Sequence, residues 1–454
     1  MSVKKGDVVE KLEIVDIGES GDGIGKLNEF TIFTDKGVPG DIIKVEIIKK
    51  EKNFARARMI EIVQPSQKRV EPKCKYFEEC GGCQIQNINY EEQLRLKKDK
   101  VENALKRIGK LENIKVNDTI GMENPYNYRN KVQFPLQKDG KEMKIGFYKR
   151  GTHDVVDIDK CLIQSDMGNE VLEKLIKIIK ENNISIYDKK NHSGVLRHIL
   201  IRNSEKTKGI MVVLVTNGNN LSHKKVFISE LSKIEEVKSI IQNVNSKRGS
   251  TILGDKNIVI YGENKIKNYI KDMEFEISPL SFFQINDIQT EKLYNTVLEY
   301  AELTGEETVF DLYCGIGTIS LFLAKKAKKV YGVEILEEAI LDARKNADNN
   351  DIKNIEFISG KSEIEIPKLY DRGINADVVV VDPPRSGCDS KLLETIIKIN
   401  PKKVIYVSCK PSTLARDLKY LVEMGYKVKK VQPVDMFPHS THVECCVQLD
   451  KNEL

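Results

Sequence analysis

The residues best suited to covalent chemistry lie in Val404–Asp417. There an apolar, β-branched run gives way to Ser408-Cys409-Lys410 and then to Pro411. The run Val404–Val407 predicts a short buried strand. Pro411 suits the first turn of a helix, and Leu414, Leu418 and Leu421 continue that helix amphipathically. Cys409 is thus expected at the carboxyl end of a strand and beside a helix N-terminus, where open α/β sheets bind ligands. The helix N-terminus and Lys410 should both favour the thiolate, which is the nucleophile. A strand-end cysteine taken alone is better explained as a small buried residue; the sequence around it changes that balance.

From Phe275 onward, strands and helices alternate, the pattern of a doubly wound sheet. Thr308–Leu312 predicts a strand running into D-L-Y-C-G-I-G-T (311–318), with a helix expected through Lys328. Lys329–Val333 is the next strand and ends at Glu334. A glycine loop between strand and helix, with an acid about 20 residues beyond Asp311 to hold ribose hydroxyls, is a nucleotide-binding arrangement. Ser320 stands where a pyrophosphate-binding loop would place a further glycine. That favours a nucleoside without phosphates, and S-adenosylmethionine is the obvious candidate. Asp377–Val381 is a third strand, and it runs into Asp382-Pro383-Pro384-Arg385. The two prolines stiffen that loop and fix the Asp382 carboxylate over the site.

A second kind of chemistry is carried by Cys74, Cys80 and Cys83, in a C-x5-C-G-G-C pattern, with Cys161 further on. Four thiolates can hold a zinc ion or an iron–sulfur cluster. A zinc ribbon would normally show a second C-x2-C, so the spacing favours iron–sulfur. The two glycines would let the backbone approach a bulky cluster.

The elements that must position these residues fall into three stretches. The chain has 454 residues, 40% of them apolar, enough for about three domains with real cores. Residues 1–63 read as a small, OB-like β-barrel of short strands punctuated by glycine turns. Residues 64–270 read as an α+β central domain. It opens with a helix over Asn89–Gly109, capped by Asn89, that could strap across to the catalytic part. Residues 271–454 form the doubly wound catalytic domain. The net charge is +5, but Lys44–Lys75 holds ten Lys or Arg against four Glu, which suits contact with nucleic-acid phosphates. No signal-like or membrane-spanning run is present, so a cytoplasmic protein without membrane contact, acting as a monomer, is expected. Nine cysteines then indicate metal binding or catalysis rather than a disulfide framework.

G-x-G-I-G-K-L and V-P-G-D-I-I-K-V in the barrel resemble a TRAM domain, an RNA-binding module. F-F-Q-I-N (282–286), D-L-Y-C-G-I-G-T (311–318), V-D-P-P-R (381–385), S-C-K-P-S-T-L-A-R-D (408–417) and F-P-H-S-T-H-V-E (437–444) together resemble the RNA 5-methyluridine methyltransferase family. The likeness covers nearly the whole chain. It implies a class I Rossmann-like methyltransferase domain preceded by the TRAM barrel and the central domain. It implies that Gln284, Tyr313, Glu334 and Asp382 contact S-adenosylmethionine, Glu334 through the ribose. It implies Cys409 as nucleophile and Glu444 as general base; periodicity alone would leave Glu444 a surface residue. It also implies a [4Fe–4S] cluster on Cys74, Cys80, Cys83 and Cys161. Barrel and cysteine set together are closer to the 23S rRNA branch than to the tRNA branch. Action on tRNA uridine or DNA cytosine, or a non-catalytic RNA-binding assembly factor, are the rival readings. The basic barrel argues against DNA, and an intact Cys409 and Glu444 argue against a binding-only role.

Overall fold

The computed structural model describes residues 3–140 and 142–452. Five strands, β1 (Val8–Ile17), β2 (Gly23–Leu27), β3 (Phe30–Thr34), β4 (Ile42–Lys50) and β5 (Phe54–Gln64), close into a barrel in the order β1-β2-β3-β5-β4. Alternation fills its interior: Leu12, Ile14, Ile32, Ile43, Val45 and Ile47 point inward and are fully buried. Gly25 has to be small, because a Cβ there would lie 2.7 Å from the Leu12 side chain and 2.8 Å from the Glu13 carbonyl. The turn V-P-G-D is locked by Asp41, which is fully buried. Its carboxylate accepts from the amides of Val38 (2.7 Å) and Ser66 (2.8 Å) and from the Arg69 guanidinium (2.5 and 3.1 Å). This bidentate pair ties the barrel to the chain that leaves it.

Helix α1 (Tyr90–Arg107) follows. The Asn89 side chain accepts from the Glu92 amide, and Val101 and Leu105 are buried. The helix packs on elements near the other end of the sequence, α9 and β20, introduced below. Next, β6 (Lys131–Asp139), β7 (Glu142–Tyr148), β8 (Val155–Asp157), β9 (Leu196–Asn203), β10 (Ile210–Thr216), β11 (Val237–Val244) and β12 (Lys256–Gly262) form one sheet in the order β12-β11-β10-β9-β6-β7-β8. Helices α2 (Asp166–Glu181) and α3 (Lys224–Leu231) cover it. A two-stranded ribbon, β13 (Ile266–Ile270) with β14 (Met273–Ile277), leads into the last sheet.

That sheet alternates with helices as the sequence predicts: α4 (Asp287–Ala301), β15 (Thr308–Leu312), α5 (Thr318–Ala324), β16 (Lys329–Glu334), α6 (Glu337–Asn349), β17 (Ile355–Ser359), α7 (Ser362–Asp371), β18 (Val378–Val381), α8 (Ser390–Ile399), β19 (Lys403–Ser408), α9 (Pro411–Glu423), β20 (Tyr426–Val434) and β21 (Glu444–Lys451). Its order is β17-β16-β15-β18-β19-β21-β20, parallel through β19 and antiparallel for the last two strands. The order reverses about β15, so the crevice at the carboxyl ends of β15, β16 and β18 is where a ligand fits. One expected boundary moves: α5 stops at Ala324, not Lys328. The exposed Lys325, Lys326 and Lys328 form the turn that lets Lys329 pair beside Thr308.

Because Asp41 buries a charge whose main partner is one guanidinium, Asp41→Ala should leave Arg69 uncompensated and destabilise the barrel by about 3 to 5 kcal/mol. Urea unfolding of the variant against the parent checks this.

Candidate active site

The nucleophile candidate and the base candidate are placed by strand register. In the antiparallel pair β19–β21, Val404 faces Leu449, Tyr406 faces Val447 and Ser408 faces Cys445. The next residues, Cys409 and Glu444, follow that last pair, and the Glu444 charge acts on the Cys409 thiol. On its other side Glu444 faces Val434 of β20. It is therefore enclosed between two strands and only 4% exposed, contrary to what periodicity alone suggests. Cys409 is half-buried, directly before the N-terminus of α9.

The other site residues sit at neighbouring strand ends. Glu334 ends β16, and its carboxylate accepts from the amides of Gly315 (3.2 Å) and Leu336 (3.0 Å), which fix it under the glycine loop. Tyr313 leaves β15 with φ +66° and lines a cavity of about 470 Å³ with Pro384, Cys388, Asp389 and Arg416. Asp382 follows β18, its amide reaching the Leu312 carbonyl. Gln284 is buried, and its carbonyl accepts from Asn130 at 2.9 Å. Ser320, read from the sequence only as a missing glycine, donates a buried hydrogen bond to Asp311. No sequence pattern flags that bond.

Burying Glu444, Asp382, Asp311 and Cys409 together shifts all four the same way. Burial, then the Asp382 charge, pushes the Glu444 carboxyl up to about 8, with Arg385 opposing. Burial raises Asp382 and Asp311 to about 7 each. The Cys409 thiol rises to about 11 through burial and then the charges of Glu444 and Asp382. This corrects the expectation that Lys410 and the helix N-terminus would lower it. The Lys410 side chain is exposed to solvent, whereas the sulfur is partly buried and near two carboxylates. Arg385 is the cation that opposes the shift at both Cys409 and Glu444. It lies inside the V-D-P-P-R motif, so a signal for it was present.

Cys74, Cys80, Cys83 and Cys161 all line one cavity of about 330 Å³, together with Arg129, Lys131 and Lys160. All four are free and partly buried. Among the described residues, no group of three or more His, Cys, Asp or Glu is arranged to hold a single metal ion. Gly81 is explained by the chain itself rather than by a cluster: its amide donates to the Tyr148 carbonyl, and a Cβ would lie 3.0 Å from that oxygen. The basic stretch is also less bare than its sequence suggests. Lys44, Lys49, Arg56, Arg58, Lys68, Arg69 and Lys75 each pair with a carboxylate, and five of those acids lie outside the stretch. Among the described residues no helix is long and apolar enough to cross a membrane.

The sheet order and its strand-end site define a Rossmann-like methyltransferase preceded by a five-stranded barrel. The family model for tRNA (uracil-5-)-methyltransferase matches residues 89–452, and that for the TRAM domain matches residues 4–60. A protein of Clostridium acetobutylicum named as an uncharacterized RNA methyltransferase is 52% identical over 99% of this chain and 98% of its own. One of the same name from Bacillus cereus is 48% identical over the full length of both. The crystal structure of Pyrococcus abyssi tRNA (uracil-54, C5)-methyltransferase with S-adenosyl-L-homocysteine superposes with a TM-score of 0.78. It is 29% identical, covering 96% of this chain and 99% of that one. The chain belongs to the tRNA (uracil-5-)-methyltransferase family, and it carries a TRAM domain.

The Glu444 shift has a sign that stability can test. Its folded value of about 8 stands above the ordinary 4.5, so the folded state binds the proton more tightly. Stability is therefore lost as pH rises from 4.5 through about 8. Glu444→Gln should raise the melting temperature at pH 9 and leave it nearly unchanged at pH 4, measured by calorimetry at both.

Proposed function

We propose that this enzyme methylates C5 of a uridine in RNA through a covalent adduct, with Cys409 as nucleophile and Glu444 as general base. The observation that carries this reading is the cross-strand register that sets the thiol opposite a buried carboxyl at the ligand end of the sheet. When bound, S-adenosylmethionine supplies an electrophilic methyl group and, as a sulfonium, a positive charge facing the strand-end acids. Glu334 holds the ribose hydroxyls, and Gln284, Tyr313 and Asp382 complete that contact. The Cys409 thiol gives up its proton to solvent, and the thiolate adds to C6 of uracil, forming an S–C6 bond and moving the C5–C6 electron pair onto C5 and O4. C5 then takes the methyl group, and S-adenosylhomocysteine remains. Glu444 removes the proton left on C5; that electron pair restores the C5–C6 double bond, and the thiolate leaves. The target base has to be unstacked to reach a site at the sheet edge.

The proposed substrate is 23S rRNA, supported by the barrel together with the cysteine set. A second reading, tRNA, is favoured by the Pyrococcus abyssi match. It covers 96% of this chain, too much to omit the barrel, so a barrel by itself does not choose between the two RNAs. Methyl transfer to unmethylated 23S rRNA, tRNA and DNA separates these readings. Cys409→Ala should lose transfer to the preferred RNA while binding S-adenosylmethionine as the parent does. Full activity in that variant overturns the covalent mechanism.

The four cysteines are proposed to hold a [4Fe–4S] cluster. They line one cavity, and Arg129 and Lys160 beside them suit a group of net negative charge. When bound, the cluster would organise the segment around Cys74–Cys83. Protein purified without oxygen should be brown and contain iron and sulfide. Stoichiometric zinc without iron overturns the assignment.

A further inference from the structure

Strands β20 and β21 are joined by the turn Asp435–Val443, and Glu444 is the first residue beyond it. Much of what holds this turn comes from the N-terminal half of the chain. The Thr441 hydroxyl donates to the Glu19 carbonyl of the barrel at 2.6 Å. The amides of Gln84 and Ile85, next to Cys83, donate to the His439 carbonyl at 2.9 and 3.1 Å. Tyr128 donates to the Pro438 carbonyl at 3.1 Å. From the other side, Asn286 and Gln289 at the start of α4 donate to the Met436 and Asp435 carbonyls at 3.2 and 3.1 Å, and the Asp435 amide donates to the Ile120 carbonyl at 2.9 Å. Two further anchors come from α1. Gln93 accepts from the His439 amide at 3.1 Å, and Lys100 donates to the Thr441 carbonyl at 3.0 Å.

At the root of the turn lies a buried ion pair. The Lys97 side chain is 2% exposed and that of Asp435 is 0% exposed. The Lys97 ammonium donates to Asp435 Oδ1 at 2.5 Å and to the Phe437 carbonyl at 3.1 Å. Asp435 Oδ2 accepts from the Tyr90 hydroxyl at 2.8 Å, and that oxygen in turn accepts from the Met122 amide at 2.9 Å. Such a pair is an expensive way to gain stability, since desolvation of both charges offsets their attraction. Its better-attested use is to fix one geometry among several. The geometry it fixes here is that of the residues between Val434 and Glu444, which face each other across β20 and β21.

We propose that Lys97, acting through Asp435, is a positioning residue for the base: it sets the turn that delivers Glu444 opposite Cys409. It thereby governs proton removal from C5 and the release of product, and leaves cysteine addition and methyl transfer largely alone. The inference rests on the roles given above to Cys409 and Glu444. Thiol addition draws on β19 and α9, whereas Glu444 enters from the turn, so the two half-reactions should separate.

The test is Lys97→Met in the full-length chain, with Lys97→Met/Asp435→Asn beside it, since the double variant leaves no uncompensated buried charge. Both are assayed with labelled S-adenosylmethionine on the RNA that the parent enzyme methylates. Misplacing the base should slow release of methylated RNA by about tenfold or more, within the range that general bases contribute. Methylated protein–RNA adduct should accumulate on denaturing gels. On RNA carrying 5-fluorouridine, where C5 has no proton to remove, adduct should form at the parent rate. A parallel fall in addition and release, unchanged release, or failure of both variants to fold would each show that the pair is structural only and overturn the proposal. Glu444→Gln is the control. If it accumulates adduct and the Lys97 variants do not, the positioning inference alone fails. If it turns over freely, the role of Glu444 itself fails and the inference with it.

Discussion

Everything at the catalytic end depends on the pairing of β19 with β21. Side chains alternate along a strand, so a slip of one residue would turn Glu444 to the opposite face and leave Cys409 beside an apolar neighbour. The register is protected by what lies below it. Val404, Tyr406 and Val407 on one strand and Cys446, Val447 and Leu449 on the other are fully buried, so any slip would also disturb the core. Packing far from the crevice thus fixes which residues of β19 and β21 lie side by side.

The second constraint is electrostatic. Asp311, Asp382, Glu444 and the Cys409 thiol are brought together out of water, with Arg385 opposing the shift at Glu444 and Cys409. Bringing acids together out of water favours their protonated forms, and the folded chain carries that cost. The same shift suits the proposed chemistry, because a carboxyl that titrates near neutrality can take a proton and give it up again. An acidic crevice also complements a cationic methyl donor. Function and strain at this end of the sheet therefore have one origin.

Much of this could be read from the chain in order. Strands β15, β16, β18 and β19 announce themselves as apolar runs, and each ends in a short motif whose residues do meet in space. The barrel was legible because glycine and proline turns punctuate alternating strands. What escaped were relations between distant residues. Nothing near Glu444 reveals that two strands will enclose it. The charge of Lys44–Lys75 looked unopposed because Glu10, Asp22, Asp41, Glu92 and Asp159, which pair with it, lie outside that window. The Cys409 shift was misjudged because a local rule about helix ends was outweighed by burial and then by the Glu444 and Asp382 carboxylates. Nothing around Lys97 points to its partner, which is 338 positions away.

The position of β21 has a consequence for synthesis. It lies between β19 and β20 but follows both in the chain. A nascent polypeptide that has already made β19 and β20 therefore carries two facing, unsatisfied strand edges with a gap between them. Open edges invite pairing with other chains. Cys409 follows β19, and the strand that brings Glu444 beside it is the wedge that closes the sheet. Sheet completion and the placing of Glu444 thus arrive together, with the same eight residues.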